Sequence, residues 1–69
     1  MIAEHDVVAL TAPRPDDGLN VGDVGAVVHC YSNADAYEVE FVDENGRTKC
    51  VVTVPGSQVL RLNLLSLSA

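Results

Sequence analysis

Four side chains in this sequence could hold a soft metal ion or pair as nucleophile and base: His5, His29, Cys30 and Cys50. A structural zinc site takes four ligands, usually with two cysteines separated by two to four residues. Here the thiols lie twenty positions apart, at 30 and 50. His29 and Cys30 are adjacent, so on a strand they point to opposite faces. A catalytic cysteine needs an electropositive, partly exposed setting that lowers its pKa. Cys50 has Lys49 beside it but runs into Val51-Val52, an apolar stretch. The carboxylate pairs are no more specific. Glu38 and Glu40 sit two apart on one strand, about 7 Å from each other, on what should be its solvated side. Asp16 and Asp17 fall in a turn, and Gly22-x-x-Gly25 lacks the lysine and the helix of a phosphate loop. The sequence therefore assigns no catalytic residue, no cofactor-binding residue and no metal ligand. The two cysteines read as small core hydrophobes.

The elements that position these residues are strands. His5 to Thr11 holds a short apolar run, Val7-Val8-Ala9-Leu10, too brief for a helix. Pro13 and Pro15 forbid helix and central strand, and Asp16-Asp17-Gly18 is turn chemistry. Residues 12–23 read as one surface loop, anchored by Leu19 and Val21 turned inward. Val24 to Tyr31 is the second strand, with Gly22 and Gly25 marking a bend or a positive φ at its entrance. Ala36 to Val42 alternates cleanly, with Tyr37, Val39 and Phe41 on one face and Glu38 and Glu40 on the other. Asn45-Gly46 between two β-runs marks a tight hairpin, since both residue types tolerate positive φ. Thr48 to Val54 returns, Ser57-Gln58-Val59 fits one 3₁₀ turn, and Leu60 to Leu62 closes the pattern. Cys30 and Cys50 then lie on strands flanking a third, about 9–10 Å apart. A disulfide needs Cα atoms within about 7 Å, so both should be free thiols.

Ten acidic residues against four basic ones, in a chain of 69, give a net charge of −6. Arg14, Arg47, Lys49 and Arg61 are scattered, and a nucleic-acid binder needs clustered cations to neutralise phosphates. The charge speaks against nucleic acid and anionic membranes and is compatible with a basic protein partner. The apolar fraction of 48% fits a folded domain. A domain this small buries only about 60% of its unfolded surface, so partners, metals or disulfides often add stability. No stretch reads as a secretory signal or a membrane-spanning helix, and the expected location is cytoplasmic.

Strand, long loop, three-strand meander, 3₁₀ turn and short strand is the layout of a five-stranded SH3-like barrel, all-β, over residues 1–62. Residues 63–69 would form an apolar tail. Four blocks carry a resemblance: Asp6-Val7-Val8-Ala9-Leu10, Gly22-Asp23-Val24-Gly25-Ala26-Val27-Val28, Tyr37-Glu38-Val39-Glu40-Phe41 and Val59-Leu60-Arg61. Over residues 4–62 they resemble a family of small, uncharacterised bacterial domains. More distantly the pattern is similar to a small stromal subunit of photosystem I, the variable chain of ferredoxin–thioredoxin reductase and the nitrile hydratase β-subunit barrel. That resemblance implies an accessory protein docking onto something larger, and it transfers no site residue.

Two features remain as candidate partner-binding segments. One is the loop with Arg14, Asp16 and Asp17, since loops on a rigid scaffold commonly carry binding. The other is the leucine tail, Leu64, Leu65 and Leu67, three apolar side chains beyond the barrel's end. The last strand and tail could also pair with a symmetry mate in a homodimer. The expectation is a non-enzymatic protein-interaction module, an accessory, regulatory or antitoxin/immunity-like subunit. A nucleic-acid-binding small barrel is the alternative, and a metal protein or enzyme the remote one.

Overall fold

The computed structural model describes residues 2–33 and 35–64. Five strands form in chain order: β1 Val7–Leu10, β2 Val24–Cys30, β3 Ala36–Val42, β4 Thr48–Pro55 and β5 Val59–Arg61. Single 3₁₀ turns at Pro15–Asp17 and Gly56–Gln58 interrupt the connections. All pairings are antiparallel, in one sheet of order β4-β3-β2-β1-β5. β3 begins and ends at the residues its alternation predicts. β5 starts one residue earlier than expected, at Val59, and ends at Arg61.

No ladder joins β4 to β5 among the described residues, so the sheet is open. It cannot be flat, however. β4 and β5 lie at opposite edges, yet only Gly56–Gln58 separates them. Four Cα steps reach about 14 Å, whereas four strand spacings in a flat sheet need about 19 Å. The sheet curls to bring its edges together at that end. Two hydrogen bonds hold the joint, from the Gly56 N–H to the Asp35 carbonyl (2.8 Å) and from the Thr11 N–H to the Gln58 carbonyl (2.9 Å).

The concave face is the core. Val8, Leu10, Val27, Tyr37, Val39, Phe41 and Val54 point into it from four strands, and Leu19 enters from the β1–β2 connection. Cys30, Cys50, Val52, Val59 and Ile2 pack around them. Aliphatic side chains stiff at Cβ dominate, as suits a pleated surface. Gly25 pairs with Phe41 where β2 and β3 approach closely: a Cβ there would sit 2.7 Å from the Glu40 carbonyl oxygen and 2.7 Å from Val39 Cγ1. The glycine permits the approach that the curl requires.

Two irregularities change which side chains face inward. In the β2–β3 ladder Val27 pairs with Val39, but His29 pairs with Glu38, leaving Val28 as an extra residue. The bulge moves Cys30 to the core side opposite Tyr37 and leaves His29 exposed. In the β3–β4 ladder Phe41 pairs with Cys50 and Val42 with Thr48, so Lys49 is the extra residue. Its ammonium reaches the Gly18 carbonyl at 2.8 Å.

The β1–β2 connection is more ordered than a plain loop. Arg14 and Leu19 exchange backbone hydrogen bonds of 2.9 and 3.0 Å across the turn at Pro15–Asp17, and Gly18 closes it with φ +69°. Leu19 is buried as expected. Val21 is not: it is 60% exposed, a correction to the sequence reading. The cause is the bend at Gly22, whose N–H donates to the Leu10 carbonyl (2.8 Å) with φ +91°, turning residue 21 outward. The hairpin at Asn45-Gly46 also forms, with positive φ at Gly46 alone. It is a wider turn in which the Asp43 side chain accepts from the N–H groups of Asn45 (2.8 Å) and Arg47 (3.0 Å).

Candidate docking surface

The convex face of the sheet is built by the residues that alternate with the core. Across the ladders Leu60 pairs with Ala9 and Ala9 with Val24. In the next row Val7 pairs with Ala26, Ala26 with Glu40, and Glu40 with Val51. An antiparallel sheet with one face on a core normally turns polar residues to water on the other. Here Val24, Val42, Val51 and Leu60 stand on the solvent side at 44–58% exposure. Val28 at the bulge is exposed as well.

One carboxylate sits within this apolar surface. Glu40 Oε2 accepts a hydrogen bond of 2.6 Å from Thr48 Oγ1, and Glu38 accepts one from Thr53 Oγ1. Val7, Val24, Ala26, Glu40 and Val42 line a shallow depression of about 240 Å³. Val24 and Val42 also wall a second depression of about 510 Å³, rimmed by Asp23, Asp43 and Glu44 together with Lys49. An apolar floor and a rim of three carboxylates and one ammonium thus form one continuous surface.

Of the residues singled out from sequence, the loop residues lie elsewhere. Arg14, Asp16 and Asp17 are brought together with Pro13, Pro15 and Gln58 around a polar notch of about 250 Å³. Arg14 Nε pairs with Asp17 Oδ2 at 3.0 Å, half-buried, so this cation is already engaged within its own turn. Leu64 stands with His5, Asp6, Val7 and Arg61 along another cleft of about 300 Å³, which adjoins the convex floor at Val7. There Asp6 Oδ2 accepts from the Ala3 N–H (2.8 Å) and from Arg61 Nε (3.1 Å). The Ala3 N–H above all, and Arg61 to a lesser degree, hold this carboxyl below its ordinary value of 3.8 against an opposing effect of desolvation. Leu65 and Leu67 lie outside the described residues.

His29 and Tyr31 meet edge to face with ring centroids 4.9 Å apart on the surface. Cys30 and Cys50 are both free, with β3 between their strands. Among the described residues no group of three or more His, Cys, Asp or Glu side chains is placed to hold a metal ion. No helix among them is long and apolar enough to cross a membrane.

The convex face was readable in part. Val7-Val8, Val27-Val28, Phe41-Val42 and Val51-Val52 are apolar doublets, and a doublet in a strand puts one apolar side chain on each face. The inward member of each pair signals the core, and the outward member signals this second surface.

Fold and surface together describe a small all-β domain: one curled antiparallel sheet with a core on its concave side and a half-apolar convex side. The chain belongs to the DUF4926 family, a domain of unknown function, whose profile matches residues 4–61. The blocks at residues 6–10, 22–28, 37–41 and 59–61 all fall within that span. No curated protein and no solved structure gives a significant match.

Proposed function

We propose that this domain is a non-enzymatic protein-interaction module, a half-open SH3-like barrel that serves as an accessory or regulatory subunit of a larger protein. The convex face carries the reading. An in-register apolar surface on the side of a sheet that should be solvated marks a contact surface in a small domain. The curl imposed by the short β4–β5 joint supports the barrel, because it brings the two sheet edges toward one another. The acidic balance favours a protein partner over nucleic acid. Of the four cations, Arg14 is paired with Asp17, Arg61 with Asp6, and Lys49 is bonded to the Gly18 carbonyl. Phosphate binding needs such groups free and clustered.

The test is co-expression of the full chain with the protein encoded beside it, followed by size-exclusion chromatography and sedimentation. A stoichiometric complex supports the reading. A chain that remains a lone monomer beside its neighbours' products, and in native extract, removes it. Anisotropy titration with single-stranded RNA at physiological salt separates the alternative: saturable binding there would favour a nucleic-acid-binding barrel.

A further inference from the structure

We propose that the convex face binds a polypeptide segment in which lysine or arginine alternates with apolar side chains, with Glu40 as the central ion-pairing group. The inference rests on the interaction-module reading and adds the place and the chemistry of the partner. Three observations meet at this surface. Val7, Val24, Ala26, Val42 and Val51 provide the apolar floor in hydrogen-bonded register. Glu40 stands in that floor between Ala26 and Val51, half-buried, with one oxygen bonded to Thr48 and the other without a partner among the described residues. Asp23, Asp43 and Glu44 outnumber Lys49 around the adjoining depression, so it stays net negative, and it shares Val24 and Val42 with the floor. An apolar side chain alone would leave the Glu40 carboxylate covered and unpaired, which is costly. A cation flanked by aliphatic groups satisfies both the floor and the carboxylate.

The other occupants fit less well. An anionic lipid surface or a nucleic-acid backbone meets the acidic rim with like charge. A second copy of this chain, at net charge −6, would bring another acidic face and has three of its four cations engaged internally. The partner segment must bring the positive charge.

The test uses the ¹⁵N-labelled full chain and three blocked hexapeptides: valine alternating with lysine or arginine, valine alternating with glutamate, and serine alternating with lysine or arginine. The first should give saturable amide shifts centred on Val7, Val24, Ala26, Glu40 and Val42. The second and third should bind at least roughly tenfold more weakly, because each lacks one half of the recognition. Glu40→Gln should weaken the first peptide about five- to tenfold, with the spectrum elsewhere unchanged. Val24→Lys, at an exposed position that the fold tolerates, should abolish binding. Equal binding of all three peptides, a footprint at Arg14–Asp17, or unchanged affinity in Glu40→Gln overturns the proposal. So does a concentration-dependent dimer that buries Val24 and Val42. A partner complex that survives Val24→Lys and Glu40→Gln defeats this inference while leaving the interaction-module reading standing.

Discussion

Replacing Gly25 with alanine should destabilise the domain by about 2 kcal/mol. The new Cβ would stand 2.7 Å from the Glu40 carbonyl oxygen, 2.7 Å from Val39 Cγ1 and 2.9 Å from Phe41 Cδ1. Comfortable carbon contacts lie near 3.5–4.0 Å, so all three neighbours would have to retreat. None retreats easily. The Glu40 carbonyl belongs to β3, which is paired on both sides, and Val39 and Phe41 are fully buried. Overpacking of this kind costs roughly 1–3 kcal/mol. Restricting the unfolded chain offsets that by about 0.4–1 kcal/mol. Stability of roughly 0.05–0.15 kcal/mol per residue gives a domain of 69 residues about 3–10 kcal/mol in total, so the loss is a large share. The thermal midpoint should fall by roughly 8–16 °C. Urea unfolding followed by tyrosine fluorescence and far-UV dichroism measures it. Gly46, with φ +81° and open space around its would-be Cβ, is the control. Gly46→Asn should be close to neutral, because asparagine tolerates that backbone region. A Gly25→Ala protein within about 0.5 kcal/mol of the parent, or more stable than Gly46→Asn, would refute the close approach of β2 to β3.

Leu19→Ala should cost about 2–4 kcal/mol in urea unfolding, whereas Val21→Ala should stay within about 0.5 kcal/mol; similar losses at both would contradict the outward turn at Gly22. The Asp6 carboxyl is lowered in the folded state, so its stabilisation is complete above the unfolded value near 3.8 and lost as pH falls through the folded value. Asp6→Asn should therefore flatten the acid limb of the stability curve below about pH 4, and an unchanged limb would show that Ala3 and Arg61 do not hold the group. Thiol titration of the denatured, unreduced chain should find both Cys30 and Cys50 reactive; a value of zero would mean the strand order is wrong.

The sequence was most legible where local chemistry and burial agree. β3 was readable because Tyr37, Val39 and Phe41 alternate with two glutamates, and each inward residue is buried. The Asp43–Arg47 hairpin was readable because Asn-Gly is turn chemistry, although the Asp43 side chain made the turn wider than the dipeptide suggests. Val21 faces outward despite its apolar character, because the bend at Gly22 decides its direction. The bulges at Val28 and Lys49 were not legible at all. Each inserts one residue into a ladder and inverts the facing of the residues beyond it. Regular alternation from Val27 would have sent His29 inward and Cys30 outward. For the candidate site, the Arg14–Asp17 loop stood out because prolines and aspartates are conspicuous. The convex face is marked only by its apolar doublets, because its residues lie far apart in the chain and meet only through the register of four ladders.

The bulge at Lys49 also explains why Glu40 has no internal cation. With Phe41 opposite Cys50, an unbroken ladder would set Lys49 opposite Val42, on the convex side and diagonal to Glu40. Diagonal positions lie within reach of a lysine side chain, and Glu40 would then have an internal cation. The extra residue instead puts Thr48 opposite Val42, where its hydroxyl binds one oxygen of Glu40, and carries the lysine ammonium to the Gly18 carbonyl. Thr48→Lys restores the cation that the bulge displaces. Thr48 is exposed, so the fold should be unaffected, with urea midpoints near the parent's. An ion pair between the introduced lysine and Glu40 would occupy the carboxylate and add a positive charge to the face. Titration with the valine–lysine/arginine hexapeptide should then lose affinity at least as far as in Glu40→Gln. Full affinity in Thr48→Lys would mean that Glu40 is not the group the partner's cation meets.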